Sequence, residues 1–357
     1  MISVQRSLAV LGVSATLLLL LAGEPRPAAQ SDSSSRLRVN VDLVQLNIAV
    51  TDHRGKYISG LKPENFQISE DKIPQKISSF EEGNGAAHHY YVDESGQSRM
   101  VEQAADSRPA DAADPALATT GANVFILFDT SNYMYRGFVY AQDAIADFVR
   151  SLDSSNKIAF YSYSRNLSRA TLLTSDRFRV VNGVRSTVAG DDAALYNSLL
   201  LTVKDASHLT GRKAIVVFSN GPDDASSVPP EDVAELAQST GTIIYIVSTR
   251  QAEDAPVSTA AFERVSKATG GKAYFASNWR DEKEAFAAIR EDISHLYTIS
   301  YYPQPNPNHG WRTISVKLIG PGMQKYHIRT RDGYRLGQLS ASTAESFSAP
   351  APQIQPH

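Results

Sequence analysis

The stretch FILFDTSNYM, residues 125–134, ends an apolar run on a carboxylate and follows it with hydroxyl and amide groups. The apolar run begins at Val124, and the carboxylate is Asp129. A short continuous apolar run is typical of a strand that a parallel sheet buries on both faces. In such sheets, ligands bind beyond the carboxyl ends of the strands. The stretch therefore predicts a buried strand whose final Asp129 serves a metal site, serves catalysis or simply caps the backbone.

Short apolar strands alternate with amphipathic helices over the rest of this region. The predicted strands are residues 157–163, 214–218, 242–247 and 273–276. The predicted helices are residues 138–152, 193–206, 231–240, 259–269 and 281–296. A Pro-Pro pair at 229–230 marks a helix start, and a Gly-Gly pair at 270–271 marks a helix end. This alternation predicts an α/β domain with a doubly wound, mostly parallel sheet that helices cover on both faces.

Both flanks of this region have β character. Residues 38–50 alternate polar and apolar side chains, and two more strand-like segments surround a turn at residues 71–74. After the last helix, LYTISYYPQ, WRTISVKLIG and YHIRTRDGY form three alternating segments separated by Pro or Gly turns. About three strands at either end are marginal as isolated sheets. We therefore predict that the two flanks pack together as one small all-β sandwich, into which the α/β domain is inserted.

These patterns give the predicted domain boundaries. A signal peptide (1–30) precedes an N-terminal β segment (37–83). A linker or long loop (84–120), rich in Ala, Asp, Ser, Gln and Gly, leads into the α/β domain (121–296). A C-terminal β segment (297–336), which pairs with the N-terminal one, and a disordered tail (337–357) follow.

The N-terminus has the pattern of an export signal. Arg6 precedes an apolar run over residues 8–22, which is too short for a membrane span, and small residues follow at 27–29. We predict cleavage between residues 22 and 30, with no stable membrane span after the signal is removed. The mature protein is then exported, to the periplasm or the extracellular space. An uncleaved N-terminal anchor is the alternative interpretation.

Composition and motifs exclude several functional classes. The net charge of -3 and the pI of about 6.3 give no strong electrostatic field, so no nucleic acid is predicted as a partner. The chain holds no cysteine, which excludes disulfides, thiolate zinc sites and a cysteine nucleophile. No serine-hydrolase elbow, zinc-protease helix motif or Walker phosphate loop occurs. We predict that the protein is not an enzyme, the alternative being a hydrolase that uses acidic residues near Asp129.

The region from Asn123 to about Leu296 resembles a von Willebrand factor type A domain, whose first strand ends in Asp-x-Ser-x-Ser. Asp129 and Ser131 match the first two positions of that motif, and Tyr133 stands at the third. The resemblance implies a metal-ion-dependent adhesion site. Such a site holds Mg²⁺ or another divalent cation through oxygen ligands and leaves one position for a carboxylate of the partner.

Two further positions depart from the family's pattern. The loop that supplies a threonine ligand in the family reads DDAALYN here, which places Ala193 at the ligand position. The later Asp-Gly of the family is Asn220-Gly221 in this chain. The resemblance thus predicts a degenerate metal site of Asp129, Ser131 and Asn220. Acids that would compensate from neighbouring loops are Asp191, Asp192, Asp223 and Asp224. In the metal-free alternative, Asp129 caps backbone donors, and Ser131 and Asn220 join the same hydrogen-bond cluster.

The flanking segments extend the resemblance beyond the α/β domain. VNVDLVQLNIAV before it, and YTISYYP and YHIRTRDGYR after it, are similar to the von Willebrand factor A-related family of exported bacterial proteins. That resemblance implies a non-enzymatic binding or adhesion-type protein that engages a protein or cell-surface ligand through loops at the C-terminal ends of the strands. The alternative is a metal-free structural scaffold that binds through other surfaces.

Three residues after the first strand are the predicted ligand contacts. Tyr133, Met134 and Tyr135 would form an apolar patch at the rim of the site, where aromatic side chains are common in interfaces. The alternative is that they pack against the neighbouring loop.

Overall fold

The computed structural model describes residues 43–85, 88–92, 98–100, 121–249, 254 and 256–336. The predicted signal peptide, the predicted tail and much of the predicted linker lie outside these residues. Within them, no helix combines the length and the apolar character that a membrane crossing requires.

Strands and helices succeed one another along the chain. The strands are β1 (Val44–Thr51), β2 (Phe66–Glu70), β3 (Ile73–Gln75), β4 (Ile77–Glu82), β5 (His88–Val92), β6 (Ser98–Met100), β7 (Ala122–Asp129), β8 (Lys157–Tyr163), β9 (Leu167–Thr174), β10 (Arg212–Ser219), β11 (Thr242–Ser248), β12 (Ala273–Phe275), β13 (Tyr297–Tyr301), β14 (Trp311–Leu318), β15 (His327–Arg329) and β16 (Gly333–Arg335). The α-helices are α1 (Phe138–Ser151), α2 (Arg177–Arg185), α3 (Leu195–Ser207), α4 (Pro230–Thr240), α5 (Pro256–Ala268) and α6 (Trp279–His295). Short 3-10 segments cover Pro63–Asn65, Asn132–Gly137 and Met323–Lys325.

The central sheet has the strand order β12-β11-β10-β7-β8-β9. Strands β12 to β8 pair in parallel, and β9 closes the edge in antiparallel orientation. Every residue of β7 and of β10 is buried. Burial of both faces explains why the apolar run is continuous rather than alternating. The predicted doubly wound, mostly parallel sheet is confirmed.

Two sets of helices cover the two faces of this sheet. Val124, Ile126 and Phe128 of β7 pack with apolar side chains of α1, α2 and α6. Phe125 and Leu127 point to the opposite face and pack with α3, α4 and α5. Successive side chains of a strand point to opposite faces, so one apolar run supplies both cores.

Residues 164–192, for which the sequence patterns predict no element, contain β9 and α2. Four of the eight residues of β9 are exposed, three are half-buried, and Thr171 is its one buried residue. An edge strand with this exposure has no sustained apolar alternation, which is the signal that identifies strands in a sequence. Helix α2 is short, and the carboxylate of its N-cap residue, Asp176, accepts a hydrogen bond from the Arg179 N–H (3.1 Å).

The chain flanks form two antiparallel sheets, with strand orders β15-β1-β13-β4-β5-β6 and β16-β14-β2-β3. The N-terminal β1 pairs with the C-terminal β13, and β2 pairs with β14. Leu46, Ile48, Phe66, Ile299 and Ile314 lie in the apolar core that these strands share. The predicted sandwich of N- and C-terminal segments, with the α/β domain inserted in it, is confirmed.

The predicted linker at 84–120 differs from the structure in its first half. There, β5 pairs with β4, and β6 pairs with β5, both in antiparallel orientation. Strand β4 would otherwise present unpaired backbone groups at a sheet edge, and the HHYYV sequence of β5 contains residue types that favour strands. Residues 101–120 lie outside the described part of the chain.

One buried carboxylate joins the α/β domain to the flanking β structure. Asp292 of α6 is fully buried and accepts hydrogen bonds from the Tyr57 and Tyr245 hydroxyls, both at 2.8 Å. It also forms an ion pair with Arg329 of β15. Tyr57 follows β1 and Tyr245 lies in β11, so Asp292 connects N-terminal, central and C-terminal parts of the chain.

The turn between α5 and β12 leaves no room for a side chain at Gly271. A Cβ atom there would lie 1.9 Å from the Ile244 carbonyl oxygen, which belongs to β11. We expect Gly271→Ala to lower the free energy of unfolding by about 1–3 kcal/mol, because the backbone of β12 must move away from β11. Urea unfolding measures this loss. Gly310→Ala is the control, since the nearest heavy atom lies 3.4 Å from its Cβ position. Equal effects of the two substitutions would contradict the steric account.

Candidate functional site

Three parallel strands end side by side at the carboxyl edge of the central sheet. Strand β7 ends at Asp129, β8 at Tyr163 and β10 at Ser219. The Ser219 hydroxyl donates a hydrogen bond to Asp129 Oδ2 (2.8 Å) and accepts one from the Tyr163 hydroxyl (3.1 Å). The Ser131 N–H donates to Asp129 Oδ1 (2.9 Å). Both oxygens of the Asp129 carboxylate are thus engaged by this chain.

Asp129 is fully buried, and its burial decides its protonation behaviour. Burial raises the pKa of Asp129, while the hydrogen bonds from Ser131 and Ser219 act in the opposite direction. Burial also raises the pKa of the neighbouring Tyr163, to which the charge of Asp129 contributes.

The other two predicted metal ligands lie nearby, and each has a side-chain oxygen with no protein partner. Ser131 is fully buried, and its Oγ makes no hydrogen bond. Asn220 is 4% exposed and donates its amide N–H to the Tyr133 carbonyl, whereas its Oδ1 has no donor. Ala193, also buried, supplies no side-chain oxygen. The carboxylate of Asp129 accepts from the Ser131 N–H and the Ser219 hydroxyl rather than from Asn220, and Tyr163 joins the cluster through Ser219. The motif did not indicate Ser219 or Tyr163.

The acidic residues of the neighbouring loops hold the loops together. Asp223 accepts hydrogen bonds from the Tyr196 N–H and the Ser226 N–H, both at 2.9 Å. Asp224 accepts from the Ala193 N–H (2.9 Å) and from the Tyr133 hydroxyl (3.1 Å). These contacts tie the loop after β10 to the start of α3.

Asp192 and the backbone of Asp191 make similar contacts before α3. Asp192 forms an ion pair with Arg165. The Asp191 carbonyl accepts a hydrogen bond from the Asn132 N–H (2.8 Å). The loop before α3 is thereby held against the loops that follow β7 and β8.

This donor set fits a hydrogen-bonded scaffold better than a site for Mg²⁺. Such a cation requires near-octahedral oxygen ligands and depends on carboxylate charge. Asp129 is the one acid among the predicted ligands, and its two oxygens already accept internal hydrogen bonds. Within the described ranges, no group of three or more His, Cys, Asp or Glu residues is placed to hold a metal ion. The unpartnered oxygens of Ser131 and Asn220 are what remains for a ligand. A metal role of Asp129, Ser131 and Asn220 stays a prediction.

The structure separates the three predicted ligand-contact residues. Tyr135 is largely exposed, and Tyr133 is partly exposed. Met134 is buried in the core between the sheet and α1, where its sulfur accepts a hydrogen bond from the Thr249 hydroxyl at 3.7 Å. Met134 thus packs in the domain core, whereas the Tyr133 and Tyr135 side chains are exposed to solvent. Their ligand-binding role stays a prediction.

A pocket of about 440 Å³ lies beside these residues. It lies between the 3-10 segment before α1 and the start of α6, and the residues lining it include Tyr133, Tyr140, Asn220, Trp279 and Glu282. The sequence patterns did not indicate Tyr140, Trp279 or Glu282. Each of these residues lies in the first turn of a helix, close to the carboxyl edge of the sheet, where ligands bind in such folds. That position is the one feature of the sequence that could have indicated them.

Comparison with known proteins agrees with this geometry. Residues 123–288 match the model of the von Willebrand factor type A domain. The α/β part of the chain is a von Willebrand factor type A domain. This VWA domain belongs to a class of modules that mostly bind or adhere and mostly do not catalyse reactions. No curated protein sequence matches the chain.

Solved structures of VWA proteins resemble part of the chain. BatB from Bacteroides thetaiotaomicron is 19% identical, covers 49% of this chain and 98% of its own, and has a TM-score of 0.41. The VWA domain of the type V pili tip protein Mfa5 from Porphyromonas gingivalis is 12% identical, with coverages of 49% and 96% and a TM-score of 0.43. A von Willebrand factor type A protein from Catenulispora acidiphila is 12% identical, with coverages of 73% and 75% and a TM-score of 0.41.

Proposed function

We propose that this chain is an exported, non-enzymatic binding protein whose VWA domain engages a protein partner at the carboxyl edge of its sheet. The observation that carries the proposal is a group of exposed large apolar side chains at this edge. We call it the aromatic end, and it consists of Tyr133, Tyr135, Val139, Tyr140 and Trp279. Tyr133, Tyr140 and Trp279 line one pocket, and the other two residues are near neighbours of Tyr133 and Tyr140 in sequence.

The composition of the aromatic end supports a protein as the ligand. Contiguous exposed apolar side chains are uncommon on soluble proteins and mark interaction surfaces. Tyrosine and tryptophan are enriched in interfaces because they bury a large area and keep a polar group for hydrogen bonding. Hydrogen bonds among the buried residues Asp129, Ser219 and Tyr163 join the ends of β7, β8 and β10 at the same edge of the sheet.

The burial of Asp129 also argues against a hydrolase at the strand ends. A general base or nucleophile must reach its substrate or a water molecule. Asp129 is fully buried, and both of its oxygens accept hydrogen bonds from this chain. Export and membership of the exported bacterial family rest on the N-terminal pattern and on the flanking β segments.

Site-specific photo-crosslinking in the cells that make the protein tests the proposed function. A benzophenone amino acid replaces Tyr135, which is 74% exposed, and in a second strain it replaces Phe178, which is 75% exposed. Phe178 lies in the first turn of α2. The adjacent Arg177 donates hydrogen bonds to the loop before β8, so Phe178 lies at the opposite edge of the sheet. We expect a discrete crosslinked protein from position 135 and none from position 178.

The control position makes the result decisive. A product from position 178 alone would favour the scaffold interpretation, with binding through another surface. The absence of a product from both positions would contradict the proposed function. An intact melting temperature of both variants shows that the exposed positions tolerate the replacement.

A further inference from the structure

The pocket beside the aromatic end presents two acceptor groups, Asn220 Oδ1 and the Glu282 carboxylate, that receive no hydrogen bond from the described residues. Asn220 Oδ1 is buried, lines the pocket region and has no partner, because the amide nitrogen of the same side chain is held by the Tyr133 carbonyl. Glu282 also lines the pocket and lies in the first turn of α6. Its carboxylate makes no ion pair or hydrogen bond with the described residues. None of the described lining residues is Lys, Arg or His.

The surroundings of Glu282 make its charge costly without a partner. Burial raises the pKa of Glu282 to about 7, and the adjacent charge of Asp281 adds to this effect. Asp281 itself accepts hydrogen bonds from the Ser277 N–H (2.8 Å) and the Asn278 amide (3.0 Å). A cation in the pocket would stabilise the ionised form of Glu282, and the ionised carboxylate would in turn attract the cation.

Aromatic rings flank these acceptors. Trp279 and Tyr140 line the pocket and are largely exposed. The Trp279 ring already attracts cations of its own helix, since Arg280 lies 5.3 Å and Lys283 lies 5.4 Å from its centroid. Aromatic faces beside a carboxylate hold both the apolar stem and the charged head of a basic side chain.

We infer that this pocket receives a basic side chain, arginine or lysine, of the protein partner. The charged head lies between Glu282 and Asn220 Oδ1, and the stem packs on Trp279 and Tyr140. A side chain of a partner is favoured over a free amine because the pocket is continuous with the aromatic end, which a protein would cover. The inference rests on the proposed function and names the chemistry by which the partner is recognised.

Titration with capped amino acids tests the inference on the whole chain. The probes are N-acetyl-arginine and N-acetyl-lysine methylamides, and the apolar control is N-acetyl-norleucine methylamide. The chain holds two tryptophans, so the indole N–H region of an ¹⁵N–¹H spectrum reports Trp279 in the pocket and Trp311 in β14. We expect saturable shifts of the Trp279 signal with a Kd of about 1 mM for at least one basic probe. The Trp311 signal should not move.

Two variants of α6 connect the shift to the pocket. Glu282→Gln is expected to weaken the basic probe about fivefold or more, because it removes the charge and keeps the size. Glu284→Gln is the matched control, since Glu284 is exposed on the same helix and does not line the pocket. The inference would be overturned if the norleucine probe bound as well as the basic probes, or if neither basic probe gave a saturable shift. Equal effects of the two variants would overturn it as well.

The crosslinking experiment separates this inference from the proposed function. A partner crosslinked at position 135, together with no probe binding, would overturn the basic side chain and leave the contact surface standing. Probe binding without any crosslinked partner would place the failure in the proposed function instead.

Discussion

Replacing Asp292 with alanine is expected to lower the free energy of unfolding by about 3–5 kcal/mol, which is the usual cost of removing one partner of a buried ion pair. The substitution leaves the Arg329 guanidinium without its carboxylate and the Tyr57 and Tyr245 hydroxyls without their acceptor. In the variant these groups are still removed from water on folding, but they have no partner to offset the cost of desolvation. Equilibrium unfolding in urea measures the loss.

Two comparisons isolate the cause of this effect. Asp143→Ala removes the surface pair with Arg185, whose side chains are 55% and 43% exposed, and we expect a loss of less than about 1 kcal/mol. Asp292→Asn keeps the size and one acceptor oxygen, so its effect should fall between those of the two alanine variants. A loss for Asp292→Ala as small as that for Asp143→Ala would contradict the view that Asp292 joins the α/β domain to the sandwich.

Replacing Asp129 with alanine is expected to cost about 2–4 kcal/mol, because it leaves two buried donors unsatisfied. These donors are the Ser131 N–H and the Ser219 hydroxyl. Asp129→Asn keeps one acceptor oxygen and removes the buried charge. Its stability at neutral pH should therefore lie within about 1 kcal/mol of the parent protein.

The pH dependence of the free energy of unfolding distinguishes the parent protein, with a carboxyl group at residue 129, from the Asp129→Asn variant, with an amide there. Burial raises the pKa of Asp129 above its value of 3.8 in the unfolded chain, so the unfolded state loses its proton first. Stability from this group is fully present below pH 3.8 and is lost as the pH rises through the raised folded pKa. Urea unfolding between about pH 4 and pH 7 should show this loss in the parent protein relative to Asp129→Asn.

The same three proteins test the cation. Because the donor set fits a hydrogen-bonded scaffold, about 5 mM Mg²⁺ or Mn²⁺ should leave the melting temperature of each protein unchanged. A rise in the parent protein that is lost in both Asp129 variants would show that Asp129 is a metal ligand. In that case, the unpartnered oxygens of Ser131 and Asn220 are the expected companions.

The predictability of individual elements followed their burial. Strands β7, β10 and β11 are buried throughout, and their apolar runs predicted them. Strand β9 has one buried residue among eight, so its residues carry no such pattern. Strand β5 pairs with a sheet edge from within a segment whose composition indicated a linker. Hydrophobic patterning records burial, and elements held mainly by backbone hydrogen bonds leave little trace in it.

The candidate site shows the same division. The position of Asp129 at a strand end follows from local sequence, because a parallel strand brings its last residue to the ligand-binding edge. That Ser219 is its partner, and that Tyr163 in turn donates to Ser219, depends on which strands lie beside β7, and this is set by the order of strands in the sheet. The commitment of Asp223 and Asp224 to backbone donors depends on loop conformation.

Sequence alone determined the α/β class, the inserted topology and the carboxylate at the strand end, because these depend on hydrophobic period and on chain order. Only the tertiary structure decided which polar atoms are satisfied and which are left for a ligand. It buried Met134, left Tyr135 exposed and brought Trp279 and Glu282 of a helix more than 140 residues away to the same pocket as Tyr133. Contacts of this kind depend on three-dimensional packing between distant segments, and no local pattern encodes them.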